Sequence, residues 1–251
     1  MSREPVVTSQ DGALATLRIQ RPESENRLNL EVLKRLTSAL RAADADDTVR
    51  AVALTGTGDT FCCGGDIDEI AVGDQASYRT FGEWFGALHG TLLGLSKPVI
   101  GAVNGDALAG GLSLLSVCDV AVARRSARYA MPEILAGLWP VMAMVSLNRV
   151  LPRKRAFELY YFGESFGAPE ALELGLINWA VDDDEFEEAV RDRGRRLAEL
   201  PRSAVRIGRP TVAELADRNY ADGFAWSAER LVELLMDPEV SAALARRKDT
   251  P

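Results

Sequence analysis

The chain has 251 residues, of which 47% are apolar and 26% charged, proportions that suit a globular protein with a large core and argue against disorder. Acids outnumber bases 37 to 29, a formal charge of −8, and this disfavours nucleic acid or an anionic membrane as partner, since both need a basic surface. One histidine, His89, and three cysteines, Cys62, Cys63 and Cys118, exclude zinc sites of several histidines or four thiolates. The odd cysteine count, with one adjacent pair, also suits a reducing compartment better than a disulfide framework.

The start, Met1-Ser-Arg-Glu-Pro, has no basic-then-apolar signal pattern, and the apolar runs fall far short of a bilayer span. A soluble cytoplasmic protein is expected. Ala13 to Gln20 alternates apolar and polar residues and predicts a half-buried strand ended by Arg21-Pro22-Glu23. Val32, Leu33, Leu36 and Leu40 have helical spacing within Leu30 to Ala43. Val49 to Leu54 predicts a second strand, Ser77 to Leu95 a helix and Val99 to Val103 a third strand. Gly110 to Val117 predicts a helix and Cys118 to Ala123 a strand. This alternation implies parallel pairing and an α/β architecture. From Glu133 onward helices dominate, at 185–200, 203–218 and 220–236, with one short strand at Ile177 to Val181. A helical tail without its own core is expected to dock on the body or on another subunit.

Two glycine loops each follow a strand and precede a helix: Phe61-Cys-Cys-Gly-Gly-Asp-Ile and Asn104-Gly-Asp-Ala-Leu-Ala-Gly-Gly-Leu-Ser. Glycine admits positive φ and close backbone approach, and a helix N-terminus offers unpaired N–H groups. Side by side, the loops would supply two N–H donors to one oxygen that becomes negative during reaction; tight turns and close packing are the plainer reading. Phosphate cradles fit neither loop. Gly111-Leu112 stands where a P-loop needs Lys-Ser/Thr, and Phe61 replaces the last glycine of a dinucleotide fingerprint. Ser–His–Asp catalysis would have to use His89, and no G-x-S-x-G elbow is present. His89 reads as a helix residue without a catalytic role.

Taken in order, four segments resemble the crotonase superfamily, the enoyl-CoA hydratase/isomerase family. They are Arg21-Pro22-Glu23 through Asn29-Leu30, Phe61 through Ile67, Lys97-Pro-Val-Ile-Gly-Ala-Val-Asn-Gly through Gly111, and Met131-Pro-Glu-Ile-Leu-Ala-Gly. Cys118-Asp119 and Ala168 through Ile177 fit too. The resemblance implies a spiral of ββα units, placed at residues 1–190, and a C-terminal helical trimerisation region at 191–251. It implies a homotrimer or homohexamer and a coenzyme A thioester as substrate, with no separate cofactor and no metal. It places the backbone oxyanion donors on Gly65 and Gly110, and makes Gly65, Asp66, Ile67, Asp68 and Gly110 lining for the acyl-CoA.

The chain departs from the family's hydratases at one position. They use two glutamates twenty residues apart; here the second is Glu133 and the first is replaced by Ser113. A serine can hydrogen-bond a water but is no base near neutrality without a partner, and the sequence names none. Moving a double bond from position 3 to position 2 needs one base, so isomerisation by Glu133 is the favoured expectation. Hydration with Ser113 positioning water, or a non-catalytic acyl-CoA-binding subunit, are the alternatives. Ser113 with a later glutamate also resembles the hydroxycinnamoyl-CoA hydratase-lyases, but Gly223-Phe-Ala-Trp has no tyrosine nearer than Tyr220. Other branches carry an aspartate where this chain has Val141. Trp139, Met142 and Met144 are candidates for an acyl pocket or for ordinary core; Glu83 is a spare acid for the pocket, with a solvated face as the plainer reading.

Overall fold

The computed structural model describes residues 4–70 and 72–248. Two sheets form its body. The larger has six strands in the order β1 (Val6–Asp11), β2 (Leu14–Ile19), β3 (Ala51–Gly56), β5 (Val99–Val103), β7 (Val120–Arg124) and β10 (Trp179–Val181). The β1–β2 hairpin is antiparallel and every later pairing is parallel. The smaller sheet runs β4 (Thr60–Cys62), β6 (Asp106–Leu108), β8 (Arg128–Ala130) and β9 (Phe166–Gly167). Three of the long strands are each followed at once by a short one: β3 by β4, β5 by β6, β7 by β8. Each of these repeats adds one strand to each sheet, and the chain advances as a spiral.

Asn104 fixes that strand-to-strand corner. Its Oδ1 accepts from Thr55 Oγ1 at 3.0 Å and Gly56 N at 2.9 Å, and its Nδ2 donates to Gly58 O and Thr60 O. The next residue has to be glycine, because a Cβ at Gly105 would lie 1.9 Å from Asp59 O. The Asn-Gly pair thus holds two successive turns of the spiral at contact distance.

β3 and β5 are buried along their whole length, as parallel strands with both faces covered should be. One face packs on α1 (Leu30–Ala45) and α3 (Gln75–Gly94), with Val32, Leu33, Leu36, Leu40, Leu88 and Leu92 in the main core. The other face is closed by α8 (Phe186–Ala198), whose Phe186 and Val190 meet Leu14, Ile100 and Val122. Between α1 and α3 lies the four-residue helix α2 (Ile67–Ile70), and α4 (Gly110–Ser116) follows β6. A 3₁₀ turn at Pro132–Ala136 leads to α5 (Met144–Val150), α6 (Arg153–Phe162) and α7 (Ala168–Glu173).

The chain ends in α9 (Arg202–Ala216), α10 (Tyr220–Met236) and α11 (Pro238–Lys248). Arg209 fastens α9 to the body: its guanidinium donates to the carbonyls of Leu92, Leu93 and Leu95 and to Asp119 at 2.7 Å. α10 contacts α9 but buries none of its own residues. No helix among the described residues is long and apolar enough to cross a membrane.

The α/β alternation and the helical second half agree with the sequence expectation, and 220–236 is reproduced as α10. β1, β4, β6, β8 and β9 were not expected. The last four are two or three residues long; β4 runs into the first glycine segment that read as a loop, and β6 lies within the second.

Candidate active site

Both glycine loops meet at one point. A Cβ on Gly64 would lie 2.6 Å from Ala109 Cβ and 2.9 Å from Gly110 N, so side chains are excluded where the loops touch. Gly64 has φ 86° and Ala109 φ 52°, a left-handed conformation that a non-glycine residue seldom adopts. It turns the chain so that Gly110 opens α4 with its N–H at a helix start. Around these glycines the backbone bonds are spoken for: Leu28 N donates to Gly64 O, Asp66 N to Leu28 O, Ala109 N to Ala130 O, and Leu112 N and Ser113 N to Ala109 O. Among the described residues, Gly65 N and Gly110 N donate to none of these carbonyls. Uncommitted N–H groups on touching loops, one of them at a helix start, are the kind of donor that a developing oxyanion needs.

Apolar side chains cover both glycines. A Cβ at Gly65 would meet Ile70 and Phe81 at 3.3 Å, and one at Gly110 would meet Phe85 at 3.2 Å. Next to Phe81 opens a cleft of about 500 Å³ lined by Asn29, Ile70, Asp74, Ser77 and Tyr78. Asp66 is buried, and Arg21 donates to its Oδ2 at 2.9 Å. Arg21 also donates to Arg27 O and Glu69, which pins the loop. Ile67 and Asp68 are exposed on the same loop.

Glu133 stands in the 3₁₀ turn behind Pro132. Its Oε2 is buried and accepts no hydrogen bond among the described residues. Burial pushes its carboxyl above the usual range, since a desolvated carboxylate is costly, and its own backbone N–H only partly offsets this. Tyr160 is close enough for the Glu133 charge to help push its phenol up to about 12, after burial itself. Trp139 packs edge-on against Tyr160 and Tyr161, at 5.9 and 5.3 Å between ring centroids. Met144 packs on the core, whereas Met142 lines a separate groove between α3, α5 and α9. Val141 and Glu83 are exposed.

Ser113 is fully buried one turn into α4. Its Oγ lies 2.9 Å from His89 Nε2 and 2.9 Å from Ser146 Oγ. His89 Nδ1 lies 2.9 Å from Phe85 O. A carbonyl only accepts, so the neutral ring carries its proton on Nδ1, and Nε2 takes the Ser113 hydroxyl hydrogen. Burial lowers the imidazole below its ordinary 6.5 and keeps it neutral near pH 7. The sequence names no base beside Ser113 and gives His89 no role. The missing signal is tertiary, because 24 residues separate the pair.

The enoyl-CoA hydratase/isomerase family profile matches residues 9–242. A short-chain-enoyl-CoA hydratase of Clostridium acetobutylicum is 31% identical, over 84% of this chain and 82% of that one. A crotonyl-CoA hydratase of Syntrophomonas wolfei is also 31% identical, over 85% and 83%. The crystal structure of an enoyl-CoA hydratase from Mycobacterium smegmatis superposes with a TM-score of 0.94 at 28% identity, covering 98% of this chain and 97% of that one. With its spiral of strand pairs and helical C-terminus matched over nearly its full length, the chain belongs to the enoyl-CoA hydratase/isomerase family.

Proposed function

We propose that the chain shifts the double bond of 3-enoyl-CoA to position 2, with Glu133 as the proton carrier and Gly65 and Gly110 as the oxyanion donors. The observation that carries this reading is the buried Oε2 of Glu133, which has no donor to hold it. Such an oxygen takes a proton from carbon more readily than one already hydrogen-bonded. Glu133 removes the proton from C2, and the electrons pass to the thioester oxygen, which the two N–H groups stabilise. The enolate then re-forms the carbonyl, the double bond moves to C2–C3, and C4 takes the proton from Glu133. No second base is needed. The acyl-CoA is substrate, and the chemistry calls for no cofactor. Gly65, Asp66, Ile67 and Asp68 belong to the wall that would receive its CoA arm, and Trp139, packed on Tyr160 and Tyr161, is assigned to the acyl pocket.

Hydration of 2-enoyl-CoA is the second reading. The hydratases among the relatives favour it, and so does the imidazole that accepts from Ser113. Supplying 3-enoyl-CoA and 2-enoyl-CoA separately tests the order. Turnover of the first is expected; hydration of the second with no turnover of the first would overturn isomerisation. A homotrimer or homohexamer is part of the same proposal. It is supported by Tyr220, Phe224, Leu231, Val232 and Leu235 on α10, exposed apolar side chains on a helix that buries nothing.

A further inference from the structure

Isomerisation by Glu133 makes no use of one buried polar cluster, formed by His89, Ser113, Ser116 and Ser146. Its placement is not incidental. Phe85 covers Gly110, and His89 lies one turn further along α3, its ring 4.4 Å from that of Phe85. Ser113 lies one turn further along α4 than Gly110. The two helices thus run in register, Phe85 against the oxyanion glycine and His89 against the serine.

The hydrogen bonds have a direction. Nδ1–H of His89 is held by Phe85 O, so Nε2 accepts from Ser113. Ser113 Oγ also contacts Ser146 Oγ at 2.9 Å, and Ser146 Oγ lies 2.9 Å from Ser116 Oγ. With its hydrogen given to His89 and one lone pair facing Ser146, the Ser113 oxygen keeps one lone pair uncommitted. Ser113 occupies the position of the carboxylate that this chain lacks, and a neutral base stands directly behind it. His89 also reaches the floor of a groove of about 520 Å³ lined by Leu93, Met142, Val145 and Val212, which gives the imidazole a route to solvent.

We propose that His89, acting through Ser113, is a positioning residue that holds and deprotonates a water for addition to C3 of 2-enoyl-CoA. The site then hydrates as well as isomerises. This rests on the reading of Glu133 and the two glycines given above. The water oxygen bonds to C3 while its proton passes to Ser113 Oγ and the Ser113 proton passes to His89 Nε2. The C2–C3 π electrons move to the thioester oxygen, and the enolate takes a proton at C2 from protonated Glu133. Proton transfer from imidazolium to Glu133 through solvent restores the start.

The test uses the full chain and its His89→Gln, Ser113→Ala, doubly substituted and Glu133→Gln forms, with crotonyl-CoA for hydration and a 3-enoyl-CoA for isomerisation. His89→Gln and Ser113→Ala are each expected to lower kcat for hydration at least about tenfold more than kcat for isomerisation. KM should hold within about twofold, and the double variant should be no slower than either single one, since both remove one relay. Equal losses in the two reactions, additive losses, or no hydration by the unaltered chain would overturn the relay. A wrong reading of Glu133 looks different: Glu133→Gln would then leave both reactions running. If the variants fail to fold, hydration by the unaltered protein in H₂O–D₂O mixtures still decides. A bowed dependence on deuterium fraction is expected, and a linear one overturns the relay.

Discussion

Glu133 carries two opposing demands at the scale of a single residue. Its buried, undonated oxygen suits proton transfer and costs stability once ionised. Replacing it by Gln is expected to lower isomerisation by about 10²–10⁴-fold, the range for a general base, and a retained rate would remove it from that role. The acid limb of the rate profile should lie above the ordinary carboxylate value of 4.5, because the base works only when ionised and its carboxyl is raised. Linkage sets the sign for stability. A folded-state value raised above the unfolded one means that the native chain holds a proton the unfolded chain has lost. Stability therefore falls as pH rises from the unfolded value through the folded one. Glu133→Gln should then raise Tm relative to the unaltered chain at about pH 8 and give no gain near about pH 4, measured by thermal unfolding across that span. Gly111 makes the steric counterpart. A Cβ there would lie 1.9 Å from Cys62 O, which cannot retreat because it belongs to β4. Gly111→Ala is expected to cost about 1–3 kcal/mol or more in urea unfolding, a typical overpacking cost, and to disturb the join of the two glycine loops.

Caps and anchors decide the geometry at the scale of elements. Asn29 caps α1, its Oδ1 accepting from Val32 N at 3.0 Å, and its Nδ2 donates to Glu69 on α2. Asn29→Ala should cost about 1 kcal/mol through the cap. It should also loosen the loop from Gly65 to Ile70, so KM for the acyl-CoA is expected to rise more than kcat falls. The helical tail hangs on Arg209. Its four hydrogen bonds tie α9 to the end of α3 and to Asp119, whose Oδ2 also accepts from Val99 N at the start of β5. Arg209→Met keeps much of the stem but leaves three carbonyls without this donor. About 2–3 kcal/mol should be lost, with earlier proteolytic cleavage after residue 200 than in the unaltered chain. That outcome separates an anchored helix from one that merely rests on the surface.

The legibility of the whole molecule follows the range of the forces involved. Apolar periodicity is local, so the strands at Val49–Leu54 and Val99–Val103 and the helix on Val32, Leu33, Leu36 and Leu40 can be read directly. The β4–β6–β8–β9 sheet cannot, because strands of two or three residues carry too little pattern and exist through their neighbours. Asp66 shows the same limit: it lies among residues expected to line the acyl-CoA channel, but its carboxylate is committed to Arg21, 45 residues away. His89 shows it most sharply, for nothing in Gly86-Ala-Leu-His-Gly announces that Ser113 will lie 2.9 Å from its Nε2. By itself the sequence determined the α/β alternation, the family, the two glycine loops, one glutamate kept and one replaced by serine. Those are carried by residue type and order along the chain. Only the tertiary structure decided that the two glycine loops touch, that Glu133 keeps an oxygen without a donor among the described residues, and that Ser113 has an imidazole behind it. Each of these depends on distance between segments far apart in sequence, and distance is set by how helices and strands pack.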